Sequence, residues 1–102
     1  MLPKLPNSEI SKLKSAAQRL KATYKVGKAG LSPQFIASLD EGFKHHELIK
    51  VKFDEHKEEK KELAPQLAEK TSSHLIMRVG NVVVLYRKKP GAEETADDVV
   101  SD

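Results

Sequence analysis

In the stretch "YKVGKAGLSPQF" the glycines Gly27 and Gly30 stand three residues apart, directly ahead of a helix start. That spacing suits one chemistry above others, the binding of an anion. Glycines let a backbone come close to a ligand, and the free N–H groups of a first helical turn, at the positive end of the helix dipole, attract negative charge. Lys25 and Lys28 would add charge to such a site. The plainer alternative is a tight strand-to-helix connection whose glycines only supply positive φ, and the tetrapeptide alone does not separate the two. It is not a nucleotide loop of the common kinds. A P-loop needs four residues between its glycines followed by Lys-Ser/Thr, and a dinucleotide fingerprint needs three spaced glycines.

Other chemistry is sought in vain. His45 and His46 are adjacent, which on a helix aims them about 100° apart, and neither His56 nor His74 falls at a metal-ligand spacing from them. His46-Glu47 begins an apparent zinc-protease motif, but Lys50 stands where its second histidine belongs. The adjacent histidines suit a helix C-terminus, where an imidazolium meets the negative end of the dipole. With no cysteine there is no disulfide, thiolate nucleophile or cysteine-ligated metal. No serine sits in a nucleophile elbow, and the acids of "DEHKEEKKE" interleave with lysines as on a solvated helix face. The expectation is a non-enzyme with no catalytic residue, metal or cofactor.

The elements that would position the loop follow from periodicity. Residues 7–22 place Ile10, Leu13, Ala17 and Leu20 on one helical face, with Asn7 or Ser8 as the expected cap. "TYKV" reads as a short buried strand ending at Gly27. Ser32 as N-cap and Pro33 at the first position open a second helix, with Phe35, Ile36, Leu39 and Phe43 as its stripe, running to about His46. "LIKVKF" alternates, sending Ile49, Val51 and Phe53 one way and Lys50 and Lys52 the other. A third helix is expected over residues 57–71, with Pro65 either kinking it or restarting it. "HLIMRVGNVVVLYR" is a hairpin turning at Gly80-Asn81. The order α-β-α-β-α-β-β predicts an α/β fold, a compact single domain with a mixed four-stranded sheet.

A chain of 102 residues suits one domain. The segment "MLPKLPNSEI" has no apolar stretch and no later run approaches a membrane span, so a cytoplasmic protein without a membrane partner is expected. Charge is polarised along the chain. Residues 1–92 hold all 18 Lys and Arg against ten acids, a surplus of eight, and five acids follow in the tail "PGAEETADDVVSD". Such a basic body attracts polyanions, nucleic acid first among them, or is simply the lysine-rich surface of a soluble protein, and charge alone does not separate the two. The tail composition is that of a disordered segment, a solvated terminus or an internal competitor for the basic face.

"KVGKAGLSPQFIASLDEGFKHHELIKVKF", followed by "EKTSSHLIMRVGNVVVLYR", resembles the CRM domain, the YhbY-like RNA-binding module found alone in bacteria and archaea and repeated in plant organelle splicing factors. The likeness covers residues 8–89, leaving 1–7 as an N-terminal extension and 90–102 as the acidic tail. It implies a fold similar to the C-terminal domain of translation initiation factor three. It also implies a GxxG loop comparable in role to that of KH domains, which clamp the backbone of single strands. On this chain the loop is Gly27, Lys28, Ala29 and Gly30 with Lys25 before it; Lys50, Lys52 and Arg87 are basic positions that would extend the RNA-binding surface. The standalone bacterial members resemble assembly factors of the large ribosomal subunit that bind precursor ribosomal RNA. A monomeric ribosome-assembly protein gripping phosphates through this loop is therefore the leading expectation. The alternatives are a DNA-binding or architectural protein, a domain for a phosphorylated metabolite, and a protein-interaction module. Pro65 and the acidic tail depart from the family pattern.

Overall fold

The computed structural model describes residues 5–88, so the acidic tail lies outside the described residues. Eight elements follow in order: α1 (Asn7–Ala17), β1 (Tyr24–Val26), α2 (Pro33–Phe43), β2 (Leu48–Phe53), a 3-10 turn (Lys57–Glu59), α3 (Lys60–Lys70), β3 (His74–Val79) and β4 (Val82–Tyr86). The four strands form one sheet in the order β1-β2-β4-β3. β1 pairs parallel with β2, and β4 lies antiparallel to both β2 and β3. The mixed four-stranded α/β sheet is as the sequence predicts.

Strand alternation divides the interior into two layers. Val26, Ile49, Val51, Phe53, Val83 and Leu85 face α2 and α3, meeting Leu39, Phe43, Ala64, Leu67 and Ala68. On the opposite face Leu48, Val84 and Tyr86 meet Ala17, Ile10 and Leu13 of α1, joined by Leu5. Packing of α1 thus begins ahead of residue 8, with Leu5 part of the domain. A bulge between Leu75 and Met77 turns the adjacent Ile76 and Met77 toward this same layer. Large side chains such as Phe43, Phe53, Leu39 and Leu67 are fully buried, each contributing about 1.5–3 kcal/mol of transfer free energy.

Several element ends differ from the expectation, each for a local reason. α1 has no side-chain cap. Pro6 holds the cap position, and its carbonyl takes the N–H groups of Glu9 and Ile10. The helix stops at Ala17 rather than near residue 22: the next three N–H groups, of Gln18, Arg19 and Leu20, bond three residues back instead of four, and Lys50 Nζ reaches from β2 to donate to the carbonyls of Ala17 and Leu20, 3.0 Å each. α2 opens as expected, with Ser32 Oγ accepting the Phe35 N–H at 3.2 Å and Pro33 in the first turn; it closes at Phe43, leaving His45 and His46 just past its C-terminus. Pro65 neither splits nor restarts α3, which runs unbroken from Lys60 to Lys70. Pro65 and Lys61 are both exposed, so the loss of the N–H that the Lys61 carbonyl would otherwise accept falls on the solvent side of the helix. At the hairpin, Gly80 has φ of 58°, the positive value that the first central residue of a II′-type two-residue turn requires.

Candidate nucleic-acid interface

The loop Gly27–Gly30 leaves the C-terminal end of β1. It is closed by the Gly30 N–H, which donates to the Gly27 carbonyl at 3.0 Å, forming a four-residue turn. Its glycines are there for different reasons. Gly30 has φ of 67°, where a side chain would be strained. Gly27 has no such φ, and a Cβ built on it would meet nothing within 4 Å. The fold therefore requires glycine at 30 but not at 27, and the open space beside Gly27 is room for something else. Lys28 and Ala29 are exposed, and their N–H groups have no hydrogen-bond partner among the described residues.

The helix that follows offers less than its sequence suggests. Pro33 has no N–H, the Phe35 N–H is taken by Ser32 Oγ, and the Ile36 N–H goes to the Ser32 carbonyl. Gln34 alone keeps an unpartnered N–H in that first turn.

The predicted basic residues fall into two groups. Lys25 and Lys52 are register partners on β1 and β2, and both are exposed, so they lie side by side on one face of the sheet. Across β4 and β3 the row continues as Val82 and Val79, the latter 62% exposed. Lys25, Lys28 and Lys52 are thus brought to one end of the molecule. Lys50 and Arg87 are used by the fold instead. The Lys50 ammonium is held at the end of α1, as above. The Arg87 guanidinium donates to Asp40 Oδ1 at 3.0 Å, the Thr71 carbonyl at 2.7 Å and the Asp40 carbonyl at 3.2 Å, and stacks 4.7 Å over the Phe43 ring. None of the five Phe and Tyr residues is exposed, so none of these rings is displayed for base stacking; the exposed rings are those of His45 and His46, past the end of α2.

Matching against family models identifies residues 5–87 with the CRS1 / YhbY (CRM) domain. The chain belongs to this family. The CRM domain here is 34% identical over 77 residues to a Bacillus subtilis protein named Probable RNA-binding protein YqeI, covering 74% of this chain and 80% of that one. It is 34% identical over 84 residues to the CRM-domain containing factor CFM3, chloroplastic/mitochondrial, of Zea mays, covering 81% of this chain but only 10% of that much longer protein. The solution structure of the Staphylococcus aureus protein SAV1595 superposes with a TM-score of 0.73 at 32% identity, covering 85% of this chain and 92% of that one.

Around the loop, this CRM domain contains residues that sequence reasoning passed over. His56 has φ of 57°, and its Nε2 lies 2.9 Å from the Lys28 carbonyl. Its Nδ1 lies 3.5 Å from Glu59 Oε1. The His56 pKa is raised from 6.5, by the Lys28 carbonyl first, against a desolvation that comes next and lowers it, with Glu59 and then Glu55 adding to the rise. Lys60 Nζ donates to Asn81 Oδ1 at 2.8 Å, and the Asn81 carbonyl accepts the Phe53 N–H at 2.7 Å, fixing the hairpin turn against the end of β2. No sequence signal marks His56: it looks like one charge among the mixed run that follows β2. Among the described residues no group of three or more His, Cys, Asp or Glu side chains is placed to hold a metal ion, and no helix is long and apolar enough to cross a membrane.

Proposed function

We propose that this chain is a non-catalytic RNA-binding protein of the cytoplasm, acting on ribosomal RNA precursor as a monomeric assembly factor of the large ribosomal subunit. The observation that carries the reading is the loop itself: an open Gly27, unpartnered N–H groups at Lys28 and Ala29, and the Lys25–Lys52 pair alongside. The family membership and the RNA-binding names of its relatives support it. A phosphate seated on the loop receives two backbone N–H groups and the Lys28 ammonium, while Lys25 and Lys52 follow the strand onward. With no exposed Phe or Tyr ring, backbone contact dominates, so affinity falls steeply with salt and sequence preference is modest unless the RNA is prefolded.

The test is Gly27→Asp. It adds a carboxylate where the fold leaves room, so circular dichroism should be unchanged while binding to large-subunit ribosomal RNA is lost. A folded variant that binds as the parent does sinks the loop reading. Lys28→Ala should lower the salt slope by about 0.7–0.9 if one phosphate contact is removed. Competition among single-stranded RNA, duplex RNA and duplex DNA at fixed salt separates this reading from a DNA-binding one, and crosslinking in cells identifies the RNA.

A further inference from the structure

The loop's outward face depends on how its inward face is held. The Lys28 carbonyl can only accept a hydrogen bond, so the His56 nitrogen 2.9 Å away is the one that carries a proton. In a planar trans peptide the C=O and the next N–H point in opposite directions. Holding the Lys28 carbonyl toward His56 therefore turns the Ala29 N–H away from the protein, which agrees with its having no partner among the described residues. The same ring lies under Gly30, where a Cβ would come 3.6 Å from Nε2, so it also occupies the space into which the loop could collapse.

We propose, resting on the RNA-binding reading above, that His56 is a positioning residue for the phosphate site, its ring aiming the Ala29 N–H at RNA and making RNA binding depend on its protonation. The geometry supplies the proton dependence. With Nε2–H committed to the Lys28 carbonyl, a neutral ring presents the bare Nδ1 lone pair to the Glu59 carboxylate 3.5 Å away. Protonating Nδ1 converts two facing acceptors into an ion pair. The groups facing the ring are the Lys28 carbonyl from the loop, Glu59 from the 3-10 turn, and Glu55 from the segment after β2, and all three favour the imidazolium. A phosphate on the loop's outward face adds a further negative charge, across the Lys28–Ala29 peptide from the acids. Binding thus favours the protonated ring, and affinity should rise as pH falls through the raised pKa and be weakest well above it.

The test uses the full chain, an in vitro transcript of large-subunit ribosomal RNA, and the variants His56→Asn and His56→Gln. Asparagine tolerates the left-handed backbone at this position but is too short to reach the Lys28 carbonyl. His56→Asn should weaken binding by about three- to tenfold at pH 6, the worth of one positioned hydrogen bond, and flatten the pH profile between 6 and 8. His56→Gln, whose amide can reach the carbonyl but cannot titrate, should recover affinity and stay flat with pH. In the free protein, the carbonyl ¹³C resonance of Lys28 should follow the titration of the His56 ring. The proposal is overturned if that resonance ignores the titration, or if His56→Asn keeps the parent's pH profile. If Lys28→Ala and Gly27→Asp both bind like the parent, the loop reading falls and this proposal with it. If those two weaken binding and His56→Asn does not, this proposal alone falls.

Discussion

Lys50 and Lys52 are two residues apart on β2 and share a side of the strand, yet their ammonium groups have different employment. Replacing each with methionine keeps most of the stem that lies along apolar surface and removes only the charge. Lys50 donates at 3.0 Å to two carbonyls, that of Ala17 at the end of α1 and that of Leu20 just past it. Hydrogen bonds from a charged group contribute roughly 1.5–3 kcal/mol each when well buried. Lys50 is only half-buried, so the expected loss is about 1–2 kcal/mol in total after screening by solvent. For a domain of this size that lowers Tm by about 5–15 °C. Lys52 is exposed and has no partner among the described side chains, so Lys52→Met should change stability by no more than about 0.5 kcal/mol. On RNA the order reverses. Lys52→Met should lower the salt slope by about 0.7–0.9, and Lys50→Met should leave it unchanged under conditions where the protein is folded. Thermal melts by circular dichroism and RNA titrations at four salt concentrations read both arms. A Lys50→Met protein with the parent's Tm and a reduced salt slope would refute the assignment, because it would place that ammonium on RNA rather than on α1.

Arg87→Lys should destabilise by about 1–3 kcal/mol in urea denaturation, since an ammonium cannot reproduce the three-pronged hold on Asp40 and Thr71 or the stacking on Phe43; a salt slope for RNA equal to the parent's would accompany it. Gly42→Ala should cost about 1–3 kcal/mol, because the added methyl overlaps the Tyr24 hydroxyl and comes 3.2 Å from Ile49 Cδ1, and a stability equal to the parent's would show that Tyr24 swings aside freely. Pro65→Ala should raise stability by about 1–2 kcal/mol, the roughly 3 kcal/mol helix penalty of proline less what its rigidity takes from the unfolded chain; the midpoint of chemical denaturation reports it, and a lower midpoint would mean the ring packs usefully after all.

What was legible in the sequence was what depends on neighbours in the chain. Ser32 and Pro33 set the start of α2 because a cap acts over three residues, and the alternation of "LIKVKF" fixes which side chains of β2 are buried because strand parity is local. The same parity could not tell Lys50 from Lys52. What distinguishes them is where α1 ends, and that end lies 33 residues before Lys50 in the chain. Arg87 reads as a basic residue at the close of the domain until Asp40, 47 residues earlier, takes hold of it.

The loop shows the same division within four residues. Sequence gives both glycines equal standing, but only Gly30 is compelled by its backbone, at φ of 67°, while Gly27 stands in open space. A glycine that the fold does not need is stronger evidence for a ligand than one that it does, so the proposed phosphate access rests on Gly27 and on the two N–H groups after it. The second of them, the Ala29 N–H, is aimed by a ring from beyond β2, 28 residues after the carbonyl it holds. The Gly-x-x-Gly pattern is therefore the outer half of the site. Its inner half is His56, a residue whose role becomes visible only when β1 and β2 pair in parallel and bring their ends together.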